Sequence, residues 1–326
     1  MLSRIAQELF WLGRNVARAE HTARLLDGVF QASLQSAADT SRSGNAAVRL
    51  DWESIVAIMG AESDSGYGSA DVLRRMTLDR NEPASLISCV DRAREGARTV
   101  RDVVSAEMWE AINTTQLTLL ESDSNGRFGM GPYSVFQYVR ERSALFWGLT
   151  SRTMLRDEAN AFLTAGGRIE SADMVLRMLR VAMPAPEPTE GETVADASLQ
   201  DGQAQALLHA VGGFQAFRRA VPSPAHAGPV ARFLLYERNY PDSVAASVDA
   251  LHRALGNADD SPRRSEPVLR LSRLGADLDF RGRGAQASVN LAETCELVQS
   301  ELTLIDKDIA ERYFAGAMPA AGLVMA

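Results

Sequence analysis

Apolar residues recur along this chain at three- and four-residue spacing, and no stretch alternates with the two-residue period of a half-buried strand. The pattern predicts an all-α protein. Helices are expected at about 2–36, 50–60, 69–79, 83–104, 106–121, 132–155, 157–182, 198–220, 229–237, 241–256, 265–281 and 285–314. Loops are expected at 37–48, 62–68, 122–131, 183–197 and 257–265, with the Pro-rich run 184–191 the most mobile and the tail after Phe314 frayed.

The pattern repeats. Asp79-Arg80-Asn81-Glu82-Pro83-Ala84-Ser85 recurs as Glu237-Arg238-Asn239-Tyr240-Pro241-Asp242-Ser243, an offset of 158, and the match extends in register on both sides. Gly13-Arg14 through Leu26 recurs more loosely as Gly166-Gly167 through Leu179 at an offset of 153, and Gly60 answers Gly212 at 152. Ordered matches at similar offsets predict an internally duplicated multi-helix bundle, with a pseudo-twofold relation between a half at 1–155 and a half at 156–326. The segment around 183–197 is an insertion in the second half, and the period is far too long for a solenoid. Pro83 and Pro241 are expected at helix starts, with Asn81 and Asn239 as capping or turn residues.

Some charges fall on the apolar stripes. With Val16 at zero on a helical wheel, Ile5, Leu9, Leu12, Ala23 and Phe30 lie within about 40°, Glu20 about 40° away and Arg24 about 80° away. Glu20 and Arg24 are spaced to pair at i, i+4, and Asp173 and Arg177 repeat that geometry in the second copy. Arg14 and Arg18 lie on the opposite face, beside Trp11, His21 and Leu25, which is too apolar to be simply solvated. After Pro83, Arg94 and Arg101 fall among Ala97, Val104 and Met108, with Arg98 at the edge, so up to three arginines point inward. Buried charge must be paired, and Glu20, Glu95, Glu107, Glu141, Asp173 or an anionic ligand are the candidate partners. Two readings stay open: an internal arginine–carboxylate lattice, or a cavity whose guanidinium forks bind a carboxylate or phosphate. The candidate ligand-binding set is Arg14, Arg18, Glu20, Arg24, Arg94, Arg98, Arg101, Glu107, Asp173 and Arg177.

Composition narrows the partners. A net charge of −8 argues against nucleic acid as the main partner, and Lys307 is the only lysine among 34 basic residues. Cys89 and Cys295 lie alone on helical stretches, which fits a reducing cytoplasm. The amino-terminal stretch lacks the order of an export signal, and no apolar run reaches membrane-span length.

Catalytic signatures are missing. No phosphate-loop, HExxH, paired ExxH or GxSxG pattern occurs, and Asp249 with His252 is a single weak i, i+3 pair. Trp11, Trp52, Trp109 and Trp147 read as core, with Trp109 and Trp147 candidates for a pocket wall. No cofactor, metal or catalytic residue is expected.

Met1-Leu2-Ser3-Arg4-Ile5-Ala6, Phe10-Trp11-Leu12-Gly13-Arg14, Arg18-Ala19-Glu20 and Thr22 to Asp27 resemble the alpha-E family, bacterial helical proteins named for a Glu-Arg motif. So do Ala93-Arg94-Glu95, Glu107-Met108-Trp109-Glu110, Phe162 to Leu179, the Pro241 and Ser243 segment and Tyr313-Phe314. The chain departs from the family where Glu-Arg-Ala-Glu has become Ala17-Arg18-Ala19-Glu20 and Glu170-Ser171-Ala172-Asp173, so each copy lacks a different member of the Glu-Arg pair. The family's Pro-Arg-Ser has become Pro241-Asp242-Ser243. The resemblance implies genomic association with a circularly permuted ATP-grasp protein and a transglutaminase-like peptidase. The expected role is therefore a non-catalytic partner or substrate-presenting subunit of a peptide- or amide-bond-forming system. The rival expectations are an enzyme or binding protein with an arginine-lined pocket for an anionic amino acid or peptide, and a homodimeric scaffold.

Overall fold

The computed structural model describes residues 1–39, 50–61, 68–124, 131–183, 194–284 and 291–316. They form thirteen α-helices: α1 (Ser3–Asp39), α2 (Trp52–Met59), α3 (Ser69–Leu78), α4 (Leu86–Thr99), α5 (Ala106–Ser124), α6 (Pro132–Thr153), α7 (Glu158–Ala182), α8 (Val194–Ala210), α9 (Phe214–Ala220), α10 (Ala227–Tyr236), α11 (Val244–Ala258), α12 (Glu266–Arg283) and α13 (Leu291–Tyr313). No strand occurs among the described residues. The run 184–191 and most of the loops expected at 37–48, 62–68 and 122–131 lie outside them.

The helices close into two rings of four. In one, α1, α4, α5 and α6 pack in turn and α6 returns to α1; in the other, α7, α11, α12 and α13 do the same. The rings meet along α1 and α7, which run parallel: their cross-contacts join residues 150 to 156 apart from Phe10 through His21. Close approach explains the glycines there. A Cβ on Gly13 would lie 2.1 Å from the Leu163 carbonyl oxygen, and one on Gly166 would lie 1.8 Å from that of Phe10. Either contact is impossible without separating the backbones. The smaller helices cross over, with α2 on α7 and α8 on α1. One continuous apolar cluster, from Leu9 and Phe10 to Ile305 and Ile309, occupies the interior.

The repeated [DE]-R-N-x-P-x-S segments make the same hydrogen bonds. Ser85 Oγ accepts from the Ser88 amide and donates to the Asp79 carbonyl at 2.7 Å, while Ser243 Oγ accepts from the Ala246 amide and donates to the Glu237 carbonyl at 2.6 Å. The Asp79 and Glu237 carboxylates accept from the amides of Asn81 and Asn239. The N-caps are thus Ser85 and Ser243; Pro83 and Pro241 lie in the preceding turns, which corrects the expected helix start.

Two other boundaries differ. The helix expected over 198–220 breaks at Gly212, whose φ of 71° is left-handed and whose amide bonds the His209 carbonyl, so the chain turns before α9. The helix expected to 104 stops at Thr99, with Val100 capping it.

Candidate functional site

The α1 face that carries Arg14, Arg18 and His21 is buried against α7. One side chain organises this contact. Glu170, fully buried on α7, accepts from Arg14 Nε at 2.9 Å through Oε2 and from Arg18 Nε at 2.5 Å through Oε1. Arg14 Nη1 reaches both carboxylate oxygens of Asp306 on α13, at 3.0 and 2.9 Å, and its guanidinium stacks 4.8 Å from the Trp11 ring. Arg14 therefore ties three helices, with its charge shared between two carboxylates and an aromatic face.

Electrostatics follow the geometry. Burial alone would raise the Glu170 pKa, but Arg18 and Arg14, by charge and hydrogen bonds, overcome it and hold the carboxyl at about 2. Glu170 also raises the Arg18 pKa, against the effect of burial. For Arg14, burial opposes the charge and the two carboxylates outweigh it. Beside them, Arg92 donates to Asn15 Oδ1 at 3.1 Å, to the Pro83 carbonyl and to Cys89 Sγ. Burial pushes the Cys89 thiol up despite Arg92 and Arg18. His21 Nε2 meets Ser171 Oγ at 3.2 Å.

A second set of charges lies further along the same pair of helices. Glu20 binds Arg24 at 2.8 Å and Asp173 binds Arg177 at 2.7 Å, as their spacing predicts. Each arginine also packs against a left-handed glycine. A Cβ on Gly212 would lie 2.8 Å from Arg24 Nη1, and one on Gly60 would lie 3.4 Å from Arg177 Nη1. These glycines follow the ends of α8 and α2, where guanidinium charge meets the negative helix terminus.

The remaining candidates are elsewhere. Arg98 and Arg101 do not point inward, whereas Arg94 reaches across to α5. Arg94 is half-buried and bonds Asn113 and Glu95; Arg98 is exposed and bonds Glu95; Arg101 is exposed beyond the end of α4, 4.8 Å from the Trp109 ring. Once α4 ends at Thr99, the wheel that joined Arg94 to Arg101 no longer applies. Glu107 is exposed and makes no ion pair among the described residues. Asp249 and His252 are engaged apart, with Arg253 and Ser272, and no group of three metal-ligating side chains occurs among the described residues.

Sequence reasoning missed Glu170, Asp306 and Arg92. The sequence carried a usable signal for Glu170: the similar stretches at Ala17-Arg18 and Glu170-Ser171 each keep one member of a Glu-Arg pair. As chemistry, a carboxyl held near pKa 2 is a poor proton acceptor at neutral pH, and a thiol raised by burial is a poor nucleophile. The cluster is built to hold helices together.

Residues 1–314 match the family model described as a predicted alpha-helical domain with a conserved ER motif. Uncharacterized proteins of Mycobacterium bovis and of Mycobacterium tuberculosis strain CDC 1551 are each 24% identical over 281 residues, covering 81% of this chain and 31% of theirs. The chain thus spans about a third of the length of the curated relatives it matches. No solved structure matches it.

Proposed function

The chain belongs to the Alpha-E family, and from that premise we propose that it is an internally duplicated, non-catalytic helical partner or substrate-presenting subunit of a peptide- or amide-bond-forming system built around an ATP-grasp protein. The observation that carries the non-catalytic part is the use of the Glu-Arg charges: Glu170, Arg14 and Arg18 are spent on each other, inside the contact between α1 and α7. In the mycobacterial relatives the matching region is part of a longer chain, an arrangement suited to a module that works beside other domains. Among the described residues no helix is long and apolar enough to cross a membrane, and both cysteines are free and buried, which supports a cytoplasmic location.

Reciprocity supports the duplication and its pseudo-twofold axis. Gly13 abuts Leu163 while Gly166 abuts Phe10, and Arg24 abuts Gly212 while Arg177 abuts Gly60. Each of these pairs is the other with its members exchanged between halves. The same exchange maps Arg18–Glu170 onto Ser171–Ala17, so the two departures from the family motif remove both members of one cross-half ion pair and leave the other complete.

The test is co-elution. The purified chain mixed with its cognate circularly permuted ATP-grasp protein should run on size exclusion with light scattering as a complex heavier than either. Separate elution, with the chain at its own 35.3 kDa, contradicts the partner reading, and a stable species of twice that mass favours a homodimeric scaffold instead.

A further inference from the structure

The outer face of α12 carries an exposed stripe. Glu266, Leu269, Arg273, Ala276, Phe280 and Arg283 follow one another at three- and four-residue spacing, which sets them on one side of the helix. The opposite side buries Val268, Leu271, Leu274 and Leu278. All six stripe residues are exposed, Phe280 at 82% and Leu269 at 48%.

The stripe is palindromic. Glu266 and Arg283, Leu269 and Phe280, and Arg273 and Ala276 are each centred on the same point, between Leu274 and Gly275. Residues placed symmetrically about a midpoint face each other when a helix packs antiparallel on its own copy. A second α12 so laid sets Leu269 on Phe280 and Glu266 on Arg283, each twice, and lays the Arg273 stem over the small Ala276.

The charges fit this pairing. Glu266 lies 3.8 Å from Arg270 and Arg283 pairs with Asp279 at 2.6 Å, both local contacts on an exposed surface, which hold these side chains weakly. Arg273 meets Glu301 of α13 at 2.8 Å, so covering it strands no charge. Leu297 and Leu304, exposed on either side of Glu301, extend the apolar border. Antiparallel packing also brings the opposite dipole ends of the two helices together.

The helix in the same place of the first ring lacks the match. α5 exposes Glu107, Glu110, Thr114, Leu117 and Glu121 at the same spacing and carries no lysine or arginine. An antiparallel copy centred on Thr114 would set Glu107 on Glu121, acid against acid.

We propose that the chain self-associates through α12, two copies packing this stripe antiparallel about a twofold axis. The occupant is a second copy of this chain, because the stripe is complementary to itself in both shape and charge.

Sedimentation velocity on the full chain between about 1 and 500 µM should show monomer passing into dimer, with a dissociation constant on the order of 10–100 µM. Phe280→Glu should weaken it at least about tenfold. Glu266→Arg or Arg283→Glu alone should do the same, since each sets like charges together twice. The double variant Glu266→Arg with Arg283→Glu should return to within about threefold of the parent constant. A monomer up to about 500 µM, unchanged dimerisation in a folded Phe280→Glu, or a double variant no tighter than its singles would each overturn the proposal. The partner reading is tested apart from it, because co-elution at about 1 µM reads the single chain.

Discussion

Arg18 on α1 donates through Nε to Glu170 on α7 at 2.5 Å, and this ion pair joins an arginine preceded by Ala17 to a glutamate followed by Ser171. The pair is made between two helices and not within one. Arg14 shares the same carboxylate, so Glu170 satisfies two guanidiniums on the facing helix.

Acid should loosen this contact. The folded-state pKa of Glu170 is depressed to about 2 from an unfolded value of 4.5. Its stabilising contribution is therefore complete above about pH 4.5 and is lost as pH falls from there toward about 2. The loss should be on the order of 3 kcal/mol. Urea titrations monitored by circular dichroism between pH 6 and 3 should show the fall, and Glu170→Gln should show a shallower one over the same range.

Helix contact at the glycines should be intolerant of a methyl group. Gly166→Ala places a Cβ against the Phe10 carbonyl oxygen and should destabilise by about 3 kcal/mol or more. Gly275→Ala, on α12 with nothing within 4 Å of the added carbon, should be neutral or stabilising by up to about 1 kcal/mol. Thermal melts of the two variants distinguish a packing requirement from a general cost of altering glycines.

Much of this arrangement was legible in the sequence, and the limits have physical causes. The wheel found the Glu20–Arg24 and Asp173–Arg177 pairs because i, i+4 contacts depend on one helix alone. It placed Arg14 and Arg18 on a buried face yet could not supply Glu170, which comes from another helix. Of the inward row, Arg101 failed because apolar spacing continued past Thr99 after the backbone had left the helix, and Arg98, at the edge of the stripe, turns out to Glu95. Gly212 was aligned with Gly60, but its left-handed φ, which separates α8 from α9, does not register as a break in an apolar pattern.

The missing ion pair should be restorable. Ala17 and Ser171 are both buried, and His21 bonds Ser171. Ala17→Glu alone puts an uncompensated carboxylate into the interface and should cost several kcal/mol. Adding Ser171→Arg should recover at least about 1 kcal/mol of that loss, measured as coupling in urea denaturation. Strict additivity would remove the support that the Ala17–Ser171 correspondence lends to the pseudo-twofold axis.

Neither thiol should react while the chain is folded. Burial raises the Cys89 pKa and pushes Cys295 up to about 12, and both side chains are fully buried. Ellman's reagent at pH 8 should titrate no thiol in native buffer over minutes and both in guanidinium.

The central claim is that the Glu-Arg charges clasp α1 to α7. A double-mutant cycle of Arg18→Met and Glu170→Leu on chemical stability tests it most directly. The account predicts that Glu170→Leu alone, which strands two guanidiniums, destabilises by about 3–5 kcal/mol. It also predicts that the double variant is less destabilised than the sum of the singles by at least about 1 kcal/mol. Full stability in Glu170→Leu, or singles that add without coupling, would contradict the clasp.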